Sequence, residues 1–182
     1  MTEVFGLSDS YVAELSALDP FAATAIGVPG HDDEVTDYSP DGVEAEVGLA
    51  RRTLQALDAA ALETDADRIA VAVMRDRMEV QIEGFGAGHP WRQLAAFDCP
   101  LTFIRSAFDL CPRTTPEDWE HIATRMGRVP EALAGFTATL RYGLATGQVA
   151  SRRQARVCAD QAATLGGQGG GGSRAAGGCA GR

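Results

Sequence analysis

Apolar residues recur along this chain every three or four positions, the spacing that collects them on one face of an α-helix. One run follows Ser39-Pro40 at intervals of 4-3-4-3-4: Val43, Val47, Ala50, Leu54, Leu57 and Ala61. A longer run follows Thr115-Pro116: Trp119, Ile122, Met126, Val129, Leu133, Phe136 and Leu140. Each run predicts a helix with a continuous seam for packing on a neighbour. Pro130 lies inside the second run, so we expect either a kink or two abutting helices there.

Residues that favour helix starts precede these runs and several others. Asp, Ser and Thr side chains can accept hydrogen bonds from the free N–H groups of a first turn, and proline fits the first helical position. A short helix is also predicted over 100–110, whereas 92–98 fits either a short helix or an extended connection. The run after Thr64 comprises Ile69, Val73, Met74, Met78 and Ile82. The predicted caps are Ser8 or Asp9, Asp19, Ser39, Thr64 (with Asp67 as a capping box), Thr115 and Ser151.

The chain shows helical spacing throughout and no convincing alternation of the kind that indicates strands. We therefore predict an all-α fold, an antiparallel multi-helix array of about six to seven helices over residues 1–165. The final segment, 166–182, reads GGQGGGGSRAAGGCAGR and contains no acidic residue. Such a composition predicts a disordered tail. The segment fits either a flexible linker or, as we favour, a product of a reading-frame slip near Leu165.

Composition narrows the classes of function. The formal charge is −9, with 25 acidic and 16 basic residues, and all the basic residues are Arg. This balance argues against a nucleic-acid-binding protein and against a protein that binds anionic membranes. The exclusive use of Arg, with abundant Ala and Gly, is typical of GC-rich coding sequence. With no signal peptide or apolar membrane span in the sequence, a cytoplasmic protein is expected, and its four cysteines (Cys99, Cys111, Cys158 and Cys179) are expected to be free thiols.

The segment IGVPGHDDEVTDYSPDG, residues 26–42, most resembles a chemical site because it joins His31 to five acidic residues. A calcium loop that starts at Asp33 would need an oxygen ligand at Val35 and glycine at Tyr38, so the calcium pattern fails. Zinc would need more His or Cys ligands than one histidine supplies. Helix capping by Asp37 and Ser39 accounts for the segment more simply. We assign no catalytic, cofactor-binding or metal-ligating residue in this chain.

The other candidates have structural interpretations as well. His121 fits a partly exposed helix position, and His89, before Pro90-Trp91, fits packing in a loop. GFGAGH at 84–89 lacks the Lys-Ser/Thr ending of a phosphate loop and follows a predicted helix. Cys99 and Cys111 both precede prolines, which explains them as segment ends.

Several segments together resemble the N-terminal part of the bacterial "domain of unknown function 885" family. They are YVAELSALDPFAATAIGVPGHDDEVTDYSPDG, LARRTLQAL, FDLCP and VASRRQ, which lie between about residues 8 and 165. The resemblance implies a longer, mostly helical protein that is similar to zinc metallopeptidases, with a zinc motif of the form HExxPGHH in its C-terminal half. This sequence contains no copy of that motif. No zinc ligand or catalytic glutamate of the family can therefore be carried over to a residue here.

Three functions follow for testing. The first is a truncated, non-catalytic helical portion of such a protein, inactive alone, in which zinc and a peptide substrate are implied only for the intact parent. The second is a self-contained helical binding domain that presents the 43–61 and 119–140 seams to a partner. The third is an enzyme in its own right, for which the sequence offers no candidate set of catalytic residues.

Overall fold

The structure is a computed structural model that describes residues 1–167, and these residues form seven α-helices and one turn of 3₁₀-helix. No strand occurs within this range, so the predicted all-α class is confirmed. The disordered tail predicted for 166–182 lies, from residue 168 onward, outside the described residues. The 3₁₀ turn spans Pro90–Arg92. The helices are α1 (Glu3–Leu18), α2 (Pro20–Ile26), α3 (Pro40–Ala59), α4 (Asp65–Gly86), α5 (Pro100–Leu110), α6 (Pro116–Ala145) and α7 (Arg152–Leu165).

Five of the predicted caps are confirmed. In each, a side-chain oxygen accepts a hydrogen bond from an N–H group of the first helical turn, which leaves one fewer donor unpaired at that end. The Thr64 and Thr115 caps are reciprocal, because Asp67 and Asp118 accept bonds from the cap residues in return. The confirmed caps are Asp19, Ser39, Thr64, Thr115 and Ser151.

The cap predicted at Ser8 or Asp9 is wrong, because α1 begins at Glu3. Val4 is completely buried and packs in a hydrophobic cluster with residues of α3 and α4. In addition, the Thr2 hydroxyl donates to the carboxylate of Asp67 at 2.5 Å. These long-range contacts hold the first turn in place, and no signal near residue 3 indicates them.

Two hydrophobic clusters stabilise the array. The first joins α1, α3 and α4 around the buried residues Val4, Ala50, Leu57 and Met78. The second joins α2, the 27–39 connection, α5 and α6 around Phe21, Val35, Ile104, Ala107 and Ala132. The α3 seam is thus largely confirmed, whereas Ile69 and Val73 of α4 are exposed and do not belong to the predicted apolar face.

α6 continues through Pro130 as a single helix, which excludes the alternative of two abutting helices. Its buried face differs from the predicted seam, since Trp119 and Met126 are more than half exposed. Ile122 and Phe136 of the predicted seam are buried, as expected. Small and polar residues that a count of large apolar residues passes over are buried with them: Arg125, Ala132, Thr139 and Gly143.

Two glycines let α6 approach other backbone segments closely. A Cβ at Gly143 would overlap the carbonyl oxygen of Trp91, in the 3₁₀ turn, and would lie 2.5 Å from the carbonyl oxygen of Gln148. A Cβ at Gly135 would lie 2.9 Å from the backbone nitrogen of Ser39. The 3₁₀ turn and the start of α3 therefore pack directly on the α6 backbone. After the 3₁₀ turn, residues 93–99 are non-helical, as in the extended alternative.

α7 contacts the rest of the protein through one narrow face. Cys158 is its single buried residue. Of the described helices, none is long and apolar enough to cross a membrane.

Candidate functional site

The acidic segment that follows α2 forms a capped turn. Asp37 accepts a hydrogen bond from the Ser39 backbone N–H at 2.8 Å, and the Ser39 hydroxyl oxygen accepts from Gly42 N–H at 3.2 Å. His31 Nδ1 lies 2.8 Å from a carboxylate oxygen of Glu34. The capping role predicted for Asp37 and Ser39 is confirmed, and the histidine has a local acidic partner.

Arg125 of α6, which the sequence analysis missed, connects this segment to α6 through hydrogen bonds. Its side chain is completely buried. The guanidinium donates to the carbonyl oxygens of His31 and Pro20 and, at 2.8 Å, to the Thr24 hydroxyl. It also lies over the Phe21 ring at 5.3 Å from the centroid. Because its acceptors are mainly neutral groups of α2 and the connection that follows, Arg125 positions backbone. Among the described residues it forms no ion pair with the acidic side chains of that connection.

Several ionisable groups surround a cavity beside α3. This cavity, the acid cleft, has a volume of about 610 Å³ and lies between α3, the end of α4, the 3₁₀ turn and the start of α5. Asp19, Tyr38 and Glu46 line it together with the exposed residues His89 and Arg92. Its apolar wall comprises Val43, Val47, Val80, Phe85 and Phe103.

Glu46 has the most unusual chemistry in the acid cleft. Burial, followed by the negative charge of Asp19, raises the pKa of Glu46 from 4.5 to about 7. Within residues 1–167 no basic side chain forms an ion pair with it. Its carboxyl group can therefore donate a hydrogen bond in the protonated form or attract a cation in the ionised form near neutral pH.

Asp19 and Tyr38 are held in place by the surrounding backbone. Asp19 Oδ1 accepts from Ala22 N–H at 3.0 Å and from the Thr36 hydroxyl, so Asp19 caps α2 and borders the cleft at once. The Thr139 hydroxyl donates to the Tyr38 carbonyl oxygen at 2.7 Å. Burial and the charge of Asp19 raise the pKa of the Tyr38 phenol, which stays a neutral hydrogen-bonding group. The cleft thus presents two carboxyls and a phenol on a fixed framework.

Sequence reasoning missed Glu46, although the helical spacing contained a signal. Glu46 lies three positions after Val43 and four before Ala50, which places its carboxyl on the apolar face of α3. A carboxyl at such a position is removed from bulk water, so its pKa rises. His89, which was interpreted as a loop-packing residue, is exposed beside the cleft.

A second cavity, the α7 groove, lies between α5, α6 and α7 and has a volume of about 710 Å³. Its lining is mainly apolar and includes Leu101, Phe108, Val129, Leu133 and Cys158. Such a surface suits an apolar helix or side chain better than a polar substrate.

The three histidines lie in separate places. His31 pairs with Glu34, His89 borders the acid cleft, and His121 lies with Asp32 and Asp118 around a narrow crevice. Within residues 1–167, no group of three or more His, Cys, Asp or Glu side chains is arranged to hold a metal ion. The described cysteines, Cys99, Cys111 and Cys158, are free thiols, as predicted. The GFGAGH stretch forms the end of α4 and a turn at Gly88, where φ is +75°.

The sequence matches a known protein family. A family model described as a bacterial protein of unknown function, DUF885, matches residues 20–175. The match begins at residue 20 rather than about 8 and extends to 175 rather than 165. Among curated proteins no match was found.

Proposed function

The chain belongs to DUF885, a family of bacterial proteins of unknown function, and on this basis we propose that it forms the non-catalytic helical wall of a peptide-binding channel in a protein similar to zinc peptidases. In this proposal the chain binds part of a peptide, and the zinc motif HExxPGHH belongs to another part of the parent protein. The acid cleft is the observation that carries the proposal.

The chemistry of the acid cleft suits one end of a peptide. Asp19 and Glu46 supply negative charge for an amino terminus or a basic side chain. The neighbouring Gln81 and Gln93 have amide groups that can pair with peptide N–H and C=O groups. Val80, beside them, belongs to the apolar wall that can pack against a side chain. A pocket that combines an apolar wall with a few convergent polar groups is typical of ligand sites.

The described residues do not fit a bound zinc ion, because they bring no three suitable ligands together. The proposal therefore assigns the chain substrate binding and no step of bond cleavage. In this proposal zinc belongs only to the parent protein, where it would polarise the scissile carbonyl.

Binding and catalysis can be tested on the full chain. We expect saturable binding of a short peptide with a free amino terminus, measured by calorimetry at pH 8, and about tenfold weaker binding of the N-acetylated peptide, since loss of one cation–carboxylate contact removes about 1.4 kcal/mol. Glu46→Gln should remove most of this preference, whereas the exposed control Glu44→Gln should keep it.

Measurements of zinc content and peptide hydrolysis test whether the chain is non-catalytic. We expect substoichiometric zinc by mass spectrometry and no hydrolysis of the same peptides. Stoichiometric zinc with hydrolysis would refute the non-catalytic assignment, and equal affinity for free and acetylated peptides would refute the role of the acid cleft. Translation of the DNA beyond codon 165 in all frames tests the proposed frame slip, which predicts HExxPGHH downstream in another frame.

A self-contained interaction domain is the second candidate, and the apolar α7 groove favours it. Solution behaviour separates the two. A channel wall separated from its parent exposes apolar surface and should associate at high concentration, whereas an interaction domain should remain monodisperse in light scattering.

A further inference from the structure

Two buried cysteines from distant parts of the chain lie on the contact between α7 and the start of α5. Cys99 occupies the position before α5 and is completely buried. Cys158, near the middle of α7, is 3% exposed. Both are free thiols. Their burial on one contact distinguishes them from Cys111, which donates to the Ala107 carbonyl oxygen within its own α5 region.

Hydrogen bonds on either side of Cys158 fix the face of α7 that meets Cys99. The Gln154 side-chain oxygen accepts from Ala96 N–H at 3.2 Å, and the Gln161 side-chain nitrogen donates to the Ala96 carbonyl oxygen at 3.1 Å. Gln154, Cys158 and Gln161 share one helix face because their spacing is four and three. The face that contacts Ala96 therefore also directs Cys158 toward Cys99, three residues further along.

The two thiols are close enough to affect each other. Burial raises the pKa of Cys158, and the neighbouring Cys99 raises it further.

We propose that Cys99 and Cys158 form a redox-active dithiol site that low-molecular-weight disulfides convert to an intramolecular disulfide. In the first step α7 opens locally, Cys158 loses its proton to solvent, and its thiolate attacks one sulfur of the small disulfide and releases one thiolate, which leaves a mixed disulfide. In the second, the Cys99 thiolate attacks the Cys158 sulfur and releases the other. The protein loses two protons and two electrons, and the small disulfide becomes two thiols.

The α7 groove provides a route for the reagent, because Cys158 lines it. α7 has no other buried residue, so it can open locally more readily than helices with larger buried faces. The disulfide would tie α7 to the 93–99 segment and keep the groove in one shape. This inference does not depend on the peptide-binding proposal, which concerns the acid cleft.

Mass spectrometry can test the pair directly, because each cysteine lies in a different tryptic peptide. The peptides are 93–105, 106–113, 157–174 and 175–182. The full, natively folded chain is incubated with oxidised glutathione at pH 8, quenched with acid and N-ethylmaleimide, and digested. We expect a linked 93–105/157–174 species, loss of two of the four thiols, and full recovery on treatment with dithiothreitol.

Matched variants complete the test. Cys158→Ser should abolish the linked species, whereas Cys111→Ser, which replaces a buried cysteine outside the pair, should retain it. If a variant misfolds, the linked species measured in the unsubstituted chain still tests the proposal. Four unreacted thiols, glutathione adducts that persist on Cys99 or Cys158, or a linkage through Cys111 or Cys179 would each overturn it.

Discussion

At the scale of single residues, Arg125 shows how a buried cation can hold loops together without a carboxylate partner. A guanidinium loses much hydration free energy on burial unless its N–H groups find acceptors. The two terminal nitrogens of Arg125 find them on Pro20, Thr24 and His31, which ties α6 to α2 and to the connection that follows it. Its Nε–H has no acceptor among the described residues.

We expect Arg125→Met to lower the free energy of unfolding by about 2–4 kcal/mol, because it leaves buried carbonyl and hydroxyl oxygens without donors. Urea unfolding followed by circular dichroism measures the change. Arg128→Met is the matched control on the same helix: Arg128 is partly exposed and pairs with Glu131 at 3.3 Å, so its loss should change stability by less than about 1 kcal/mol. Equal effects of the two substitutions would contradict the role given to Arg125.

Glu46 gives the stability of the protein a pH dependence of unusual sign. Its pKa is about 7 in the folded state against 4.5 ordinarily, so the folded state binds more protons between these values. The contribution of Glu46 to stability is therefore fully present below about pH 4.5 and is lost as the pH rises toward 7.

Replacing Glu46 by Gln should remove that dependence. Relative to the variant, the unsubstituted protein should lose on the order of 2–3 kcal/mol of unfolding free energy between pH 4.5 and 8. Urea titrations at several pH values measure the difference. Glu44→Gln, on the exposed side of α3, should leave the pH dependence of stability unchanged. A stability difference between the unsubstituted protein and Glu46→Gln that stays constant with pH would show that the Glu46 carboxyl ionises normally.

At the scale of elements, the helix starts were predictable where their chemistry is local. Asp19-Pro20, Ser39-Pro40 and Thr115-Pro116 place acceptor and proline next to the turn they stabilise, and a short window contains the whole signal. The start of α1 was not predictable in this way, because Thr2 pairs with Asp67 across the fold.

The buried face of α6 was predicted only in part, for a different reason. The search for large apolar residues selected Trp119 and Met126, whereas the contacts depend on a cation at Arg125 and on the absence of a side chain at Gly143. The acid cleft could not be predicted from the sequence either, because it depends on contacts between distant residues. Its carboxyls come from residues 19 and 46, and only the packing of α1 against α3 brings them to one cavity.

Gly143→Ala should separate α6 from the 3₁₀ turn, since the new methyl group would overlap the Trp91 carbonyl oxygen, a backbone atom that cannot rotate away. We expect a loss of about 2–4 kcal/mol in unfolding free energy, as for overpacked sites. Gly127→Ala is the control on the same helix, where a Cβ meets nothing within 4 Å. There we expect a gain of about 0.5–1 kcal/mol from helix propensity. Equal stabilities of the two variants in thermal unfolding would refute the close approach.

At the scale of the whole molecule, stability is distributed unevenly. α3 buries five residues, including Leu49, Ala50 and Leu57, whereas α7 buries Cys158 alone. Helices with few buried apolar contacts open with less free energy than the core does.

Native-state hydrogen exchange should therefore show α7 amides exchanging at least about tenfold faster than those of α3 under reducing conditions. Mass spectrometry of peptic fragments resolves the two helices. Because the α3 fragments come from the same sample, they serve as the internal reference. Equal protection of α7 and α3 amides from exchange would show that opening α7 costs as much free energy as opening the main core, and would contradict the prediction.

The two hydrophobic clusters also imply an order of assembly during synthesis. The first is complete once Ile82 has emerged from the ribosome, because its other members precede that residue. The second cannot form then, since Phe21 and Val35 must wait for Ile104 and Ala132. Between these moments the nascent chain carries an unpartnered apolar surface beside a finished three-helix unit. During that interval the nascent chain exposes the most apolar surface to which a chaperone can bind.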